Sequence, residues 1–149
     1  MEVDVAPWFD DVYRTHWRGM VRLAYVMVGD GTEAEELAQE AFTRVLRRSG
    51  EVQDPLPYLR SAVYNVCRNH LRGLSRRRAV PVPPDSEAPV GDHVIDAIRR
   101  LPERQQALVV LRYYEGLTDS EIADVTGRPI GSVKSGLHRA LESLRKELR

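Results

Sequence analysis

Lys134, Ser135, His138 and Arg139 stand at i, i+1, i+4 and i+5 near the carboxyl end of the chain. On a helix that spacing puts all four on one face, opposite an apolar stripe of Val133, Leu137, Ala140, Leu141 and Leu144. Lysine and arginine donate to guanine edges and phosphates, and serine or histidine reaches other base edges. The face therefore has the chemistry of duplex readout in a major groove. A second set, Arg60, Tyr64, Arg68 and Arg72, recurs every fourth residue and is flanked by Asn65, Asn69 and Arg76. Cations attract phosphate, a phenol ring offers a stacking platform and asparagine amides can pair with an open base edge, a mixture that suits a single strand better than a duplex. A third set, Glu35, Glu36, Gln39, Glu40 and Thr43, is acidic. Its spacing predicts either a solvated face or a dock for a basic protein surface.

Each face needs a helix to hold it. Phe9, Tyr13, Trp17, Met20, Ala24 and Met27 recur at three- or four-residue steps and predict a first helix from about Pro7 to Val28, ended by Gly29, Asp30 and Gly31. Thr32 with Glu35 has the spacing of a capping box and opens a second helix, buried through Ala34, Leu37, Ala38, Ala41, Phe42 and Val45 and closed by Gly50. Asp54 as N-cap and Pro55 in the first turn start a third. Its apolar side is Leu59, Ala62, Val66, His70 or Leu71, and Leu74, and it runs to Arg76, Arg77 and Arg78.

From Ala79 to Gly91, four of the nine prolines (Pro81, Pro83, Pro84, Pro89) crowd into a polar stretch that cannot hold a helix, which predicts an extended linker. Beyond it comes a short helix from near Asp92 to Leu101, then one from about Glu103 to Tyr114 stopped by Gly116. A further helix from Thr118 to Thr126, with Thr118 and Glu121 as its capping box, is followed by a turn at Gly127 and a last helix opened by Pro129 and reaching Leu148. Short helix, glycine turn and longer basic helix make the helix-turn-helix layout. The predicted fold class is all-α: two small helical domains, residues 1–78 and 92–149, joined by the proline-rich linker 79–91, with the second domain a four-helix helix-turn-helix unit.

The composition agrees with such a fold. With 149 residues, 42% hydrophobic and 30% charged, the chain is neither collagen-like nor wholly disordered. Its formal net charge of zero conceals a strong segregation. Residues 1–40 carry three basic and nine acidic side chains, residues 41–80 nine and two, and residues 128–149 six and two. Two separated basic regions predict two contacts with a polyanion. The most apolar stretch, Met20 to Val28, is interrupted by Arg22 and far shorter than the roughly 20 residues of a membrane span. Met1 to Asp11 is acidic where a secretory signal would be basic and then apolar, and the lone Cys67 has no internal partner, so a reducing cytoplasm is expected. Signals for an enzyme are weak: there is no phosphate-cradling glycine loop and no Gly-x-Ser-x-Gly. Cys67 and His70 supply only two of the about four ligands a structural zinc takes, so neither metal nor cofactor is expected.

Taken in order, the motifs resemble the extracytoplasmic-function group of bacterial RNA polymerase sigma factors. Leu101-Pro102-Glu103-Arg104-Gln105, Leu111-Arg112-Tyr113-Tyr114-Glu115-Gly116-Leu117, Glu121-Ile122-Ala123, Gly131-Ser132-Val133-Lys134-Ser135 and Leu137-His138-Arg139-Ala140 look like that family's fourth conserved region. Ala34-Glu35-Glu36-Leu37-Ala38-Gln39-Glu40-Ala41-Phe42 is similar to the polymerase-binding helix of its second region. Tyr58-Leu59, Asn65, Asn69-His70-Leu71 and Arg72 are similar to its promoter-melting helix.

The resemblance implies that Glu36, Gln39 and Glu40 contact core RNA polymerase. It also implies that Tyr64, Asn65, Arg68, Asn69 and Arg72 open and hold the minus-ten element, and that Lys134, Ser135, His138 and Arg139 read the minus-thirty-five duplex. An anti-sigma factor is a further partner the resemblance makes possible. Two positions depart from the family pattern: Asn69 stands where Asp is common, and Gly136 where Arg is usual, on the expected flank of the reading face. The alternative function is a stand-alone helix-turn-helix regulator whose first lobe dimerises or senses a signal.

Overall fold

The computed structural model describes residues 7–48, 54–76 and 93–148, which form seven α-helices and, among the described residues, no strand. Gly50, Arg77, Arg78 and the expected linker lie outside the described residues.

Helix α1 (Pro7–Val28) buries Met20 and Ala24 of the predicted stripe completely, and with them Leu23 and Val26, which the stripe did not include. Nearer its start, Phe9, Tyr13 and Trp17 converge on Phe42 with ring centroids 6.2, 5.0 and 5.8 Å away. Burying a ring such as that of Phe42 contributes about 1.5 to 3 kcal/mol, so this cluster is a main tie between α1 and α2. Gly29 ends α1 at φ +79°, where a residue with a Cβ would be strained.

Helix α2 (Gly31–Arg47) begins earlier than expected. Its N-cap is Asp30, whose carboxylate accepts the Glu33 N–H at 3.0 Å, and not Thr32 with Glu35. Asp30 holds an extended backbone directly after the glycine turn and caps more strongly than threonine, so it captures the helix start first. Helix α3 (Pro55–Arg76) starts as expected, with Asp54 Oδ1 accepting the Leu56 N–H at 3.2 Å. Helices α1, α2 and α3 pack on one another as the first domain.

The second domain contains α4 (His93–Arg99), α5 (Glu103–Val109), α6 (Asp119–Thr126) and α7 (Ile130–Glu147). Gln106 is buried and donates from Nε2 to the carbonyls of Arg99 at 2.8 Å and Leu101 at 3.1 Å, satisfying groups released where α4 ends. The helix expected over residues 103–114 keeps its path, but its last part, Val110–Tyr114, widens into a π turn. There the Glu115 N–H bonds the Val110 carbonyl five residues back, at 3.0 Å. Arg112 then holds the following loop by donating from Nη1 to the Leu117 carbonyl at 3.0 Å.

Helix α6 carries the expected capping box, with Thr118 and Glu121 exchanging two bonds of 3.1 Å. The Glu121 carboxyl is held below its ordinary pKa, first by the Thr118 backbone N–H, then by the Thr118 side chain, and to a smaller degree by Arg60 of the first domain. Gly127 supplies the left-handed turn at φ +70°. The two domains touch: α1 packs on α4, α5 and the π turn, and α3 packs on α6.

Candidate nucleic-acid interface

Helix α7 turns one face to its own domain, burying Val133, Leu137, Ala140 and Leu144. Lys134, Ser135, His138 and Arg139 are all exposed on the other side, so the structure brings this set together as the spacing predicts. The Ser135 hydroxyl donates to the Gly131 carbonyl at 3.0 Å, which leaves its oxygen lone pairs as acceptors. His138 Nε2 lies 3.4 Å from Glu142 Oε1, an exposed pair that holds the ring on the helix surface. The turn from α6 into α7 is fixed by Thr126, which donates to the Ile122 carbonyl at 2.8 Å and accepts the Arg128 N–H at 3.3 Å. A basic face in the N-terminal half of the second helix, behind a rigid turn, is the geometry that enters a major groove.

Gly136 is not on the flank of that face. It is half-buried toward α5, and a Cβ added there would fall 2.7 Å from Leu108 Cδ1. Leu108 is itself only 1% exposed, so it has little room to yield. The glycine lets α7 cross α5 closely and is a packing residue of the second domain.

The set on α3 is only partly assembled. Asn65, Arg68, Asn69 and Arg72 are exposed at i, i+3, i+4 and i+7, one continuous face. Tyr64 is not on it: its side chain is 2% exposed and offers no ring to a base. Arg60 also leaves the expected ladder, ion-paired to Glu115 at 3.0 Å with the two side chains 11% and 9% exposed. A strict four-residue step drifts around a helix by about 40° each time, and the first half of the ladder drifts into the interior. His70 lies at the edge, 3.2 Å from Glu33 of α2. Cys67 is buried, and burial, with Glu40 adding a smaller push, raises its thiol to about 12. Among the described residues no group of three His, Cys, Asp or Glu side chains is placed to hold a metal ion.

On α2 the acidic set is exposed as its period predicts, with Glu35, Glu36, Gln39, Glu40 and Thr43 all facing solvent. Arg44 pairs with Glu40 at 2.9 Å across one helical turn, so part of that charge is met within the helix. No described helix is long and apolar enough to cross a membrane.

Two family descriptions match the chain, Sigma-70 region 2 over residues 12–77 and Sigma-70, region 4 over residues 92–144. The RNA polymerase sigma-E factor of Streptomyces coelicolor is 32% identical over 94% of this chain and 85% of its own length. The ECF RNA polymerase sigma factor RpoE of Cereibacter sphaeroides is 30% identical over 78% of this chain and 73% of its own. The chain belongs to the extracytoplasmic-function RNA polymerase sigma factors. The fold agrees: the sigma factor RpoE of Bartonella quintana, crystallised with the anti-sigma factor NepR, superposes with a TM-score of 0.72 over 96% of this chain and 98% of that one, at 18% identity.

Sequence reasoning missed the residues that join the two domains of this sigma factor. The Glu115 carboxylate, bonded to Arg60, also lies over Gly19 of α1, where an added Cβ would be 2.7 Å from Glu115 Oε2. The Arg22 guanidinium sits 4.6 Å from the centroid of the Tyr114 ring. Arg99 reaches from α4 to lie 5.9 Å from the Tyr25 ring centroid and donates to the Val26 carbonyl at 3.4 Å, covering Gly29. The only trace of this in the sequence is local: Gly19 interrupts α1, and Arg22 its most apolar stretch.

Proposed function

We propose a division of labour among the three exposed faces of this sigma factor. The α2 face, with Glu36, Gln39 and Glu40, docks on a basic surface of core polymerase. Asn65, Arg68, Asn69 and Arg72 hold the unpaired strand of the minus-ten element, the arginines through phosphate and the asparagines through base edges. Lys134, Ser135, His138 and Arg139 read the minus-thirty-five element as duplex. Residues 1–78 and 92–149 then act as separate modules on a connecting segment, residues 79–91.

The observation that carries this reading is the segregation of residue type by helix. The acids stand on α2, the amides and arginines on α3, and the mixed basic set on the second helix of the helix-turn-helix, each set exposed on its own helix. The protein contributes binding and strand opening, catalyses no reaction itself and needs no cofactor. It works in the cytoplasm, where the template is. An anti-sigma factor, the class of partner in the Bartonella quintana complex, would silence it by covering the α2 or α7 face.

Core polymerase reconstituted with the chain is expected to give run-off transcripts from genomic fragments on which neither component transcribes alone. A chain that bound a palindromic duplex unaided and gave no transcript would instead be a stand-alone helix-turn-helix regulator.

A further inference from the structure

Three large hydrophobic side chains are well exposed among the described residues: Tyr113, Leu148 and Ile130. Tyr113 and Leu148 border one apolar groove in the second domain, with Val94, Ile98 and Leu144 along it. Ile130, 45% exposed, stands apart from that groove as the first residue of α7. Single exposed aliphatic residues are ordinary on a protein surface, so the exposure alone says little. Its neighbours say more. Lys134 lies one turn on, at i+4, and Gly131 follows directly. Side chains on a helix lean toward its N-terminus, so Lys134 and Ser135 reach back over the first turn; the Ser135 hydroxyl does so as far as the Gly131 carbonyl. The fold gives Gly131 no reason to be glycine. Its φ is not in the left-handed region, and a Cβ added there would meet no side chain within 4 Å. Gly19 and Gly136, also inside helices, are by contrast each faced by a side-chain atom at 2.7 Å.

We propose that Ile130 is a further specificity-determining residue of the α7 face: it receives the C5-methyl of a thymine in the minus-thirty-five element, and Gly131 leaves the backbone bare so that the first turn of α7 comes close enough for that contact. The inference deepens the duplex reading of α7 and rests on it. In the major groove the thymine methyl is the apolar mark of an A·T pair, and an aliphatic side chain is its matching partner. The first turns of a recognition helix are also the part nearest the base edges. Isoleucine branches at Cβ and is stiff there, so it keeps its methyl groups close to the helix and makes the contact only if the backbone itself approaches closely. A glycine beside it permits that approach, at a loss of helix propensity that nothing in the fold offsets. Lys134, next to Ile130 on the same side, then addresses a guanine or a phosphate of a neighbouring step. The face thereby reads polar base edges through Lys134, Ser135, His138 and Arg139, and an apolar one through Ile130.

The test uses the full chain reconstituted with core polymerase on a promoter fragment found in the run-off assay. Thymines on either strand of the minus-thirty-five duplex are replaced one at a time by deoxyuridine, which pairs identically and lacks only the methyl. One replacement should weaken binding of the native chain by about threefold to fivefold, the worth of one buried methyl group. Ile130→Ala should bind the thymine duplex more weakly by at least about that factor and lose nothing further at the uracil position, whereas Ile130→Val should keep most of the methyl response. Gly131→Ala should raise Tm by about 1 to 4 °C, because the fold has room for the added methyl, and yet weaken duplex binding by about fivefold or more. Lost binding in a chain that has become more stable is not a folding defect. No response at any thymine, or a methyl response of equal size in the native chain and in Ile130→Ala, would overturn the proposal, as would native-strength binding by Gly131→Ala. Failure of the duplex reading itself looks different: changing whole base pairs of the element would then leave binding unaltered, and the inference would fall with it.

Discussion

Helices α3 and α7 both carry arginine-bearing faces for nucleic acid, yet they differ in how much of the expected face reaches water. On α7 all four expected residues are exposed; on α3 Tyr64 is buried and Arg60 is taken into an ion pair with the other domain. The reason is where the neighbours stand. Helix α7 packs within its own domain, on α4, α5 and α6, whereas α3 is covered by α1 and α2 and again by α6 from across the domain boundary. Periodicity tells which residues share a face, but it does not tell how many faces a helix must bury.

The largest expected effect separates these two situations at a single residue. Tyr64→Ala should cost about 3 to 5 kcal/mol in urea unfolding, the range for truncating a buried aromatic side chain. Arg68→Ala, four residues along and exposed, should change stability by less than about 0.5 kcal/mol. If the two variants unfolded alike, the burial that distinguishes α3 from α7 would be wrong.

A smaller effect is expected on α7 itself. Gly136→Ala gains about 1 kcal/mol of helix propensity but drives a methyl group into Leu108, and overpacking of this kind costs about 1 to 3 kcal/mol. The net expectation is a loss of about 1 kcal/mol, reduced when Leu108→Val makes room in the same chain, measured as a double-mutant cycle. The salt dependence of duplex binding should not change, because the position faces α5 and not solvent. A steeper slope in Gly136→Arg would put the residue back beside the phosphates.

Smaller still is the effect on stability of reversing the acidic face. Glu36→Lys with Glu40→Lys should leave the unfolding midpoint nearly unchanged, since the exposed Glu40–Arg44 pair contributes only about 0.3 to 0.5 kcal/mol. The same variant should lose binding to core polymerase in a pull-down, and undiminished capture would remove α2 from the interface. An effect absent at neutral pH concerns Cys67. Its thiol titrates near 9 when unfolded and about 12 when folded, so its contribution to stability is complete below pH 9 and is lost as pH rises from there toward 12. Comparing the alkaline unfolding of the native chain with Cys67→Ala isolates that difference.

Much of this was legible from residues alone. Helix positions followed from the three- and four-residue steps, and the Thr118–Glu121 box, the Gly127 turn and the Asp54 cap act as their types demand. Where the reading slipped, two local solutions competed or a distant neighbour decided. Asp30 and Thr32 both can cap α2, and the stronger cap two residues earlier wins. Gly136 looks like a gap in a basic face until α5 is placed behind it, and Glu115 looks like one more surface acid until the π turn aims it at Arg60. Nothing within a few residues of Tyr64 records that α6 lies across its helix.

The division of labour between α3 and α7 is tested most directly by measuring open-complex formation on a duplex promoter and on the same promoter pre-opened at the minus-ten element. Arg68→Ala with Asn69→Ala on α3 should reduce opening of the duplex by about tenfold or more and recover most of that loss on the pre-opened template, since a hydrogen bond to a charged group such as phosphate is worth about 1.5 to 3 kcal/mol. Lys134→Ala with Arg139→Ala on α7 should lose equally on both templates. Equal losses on both templates for the α3 pair as well would contradict the account.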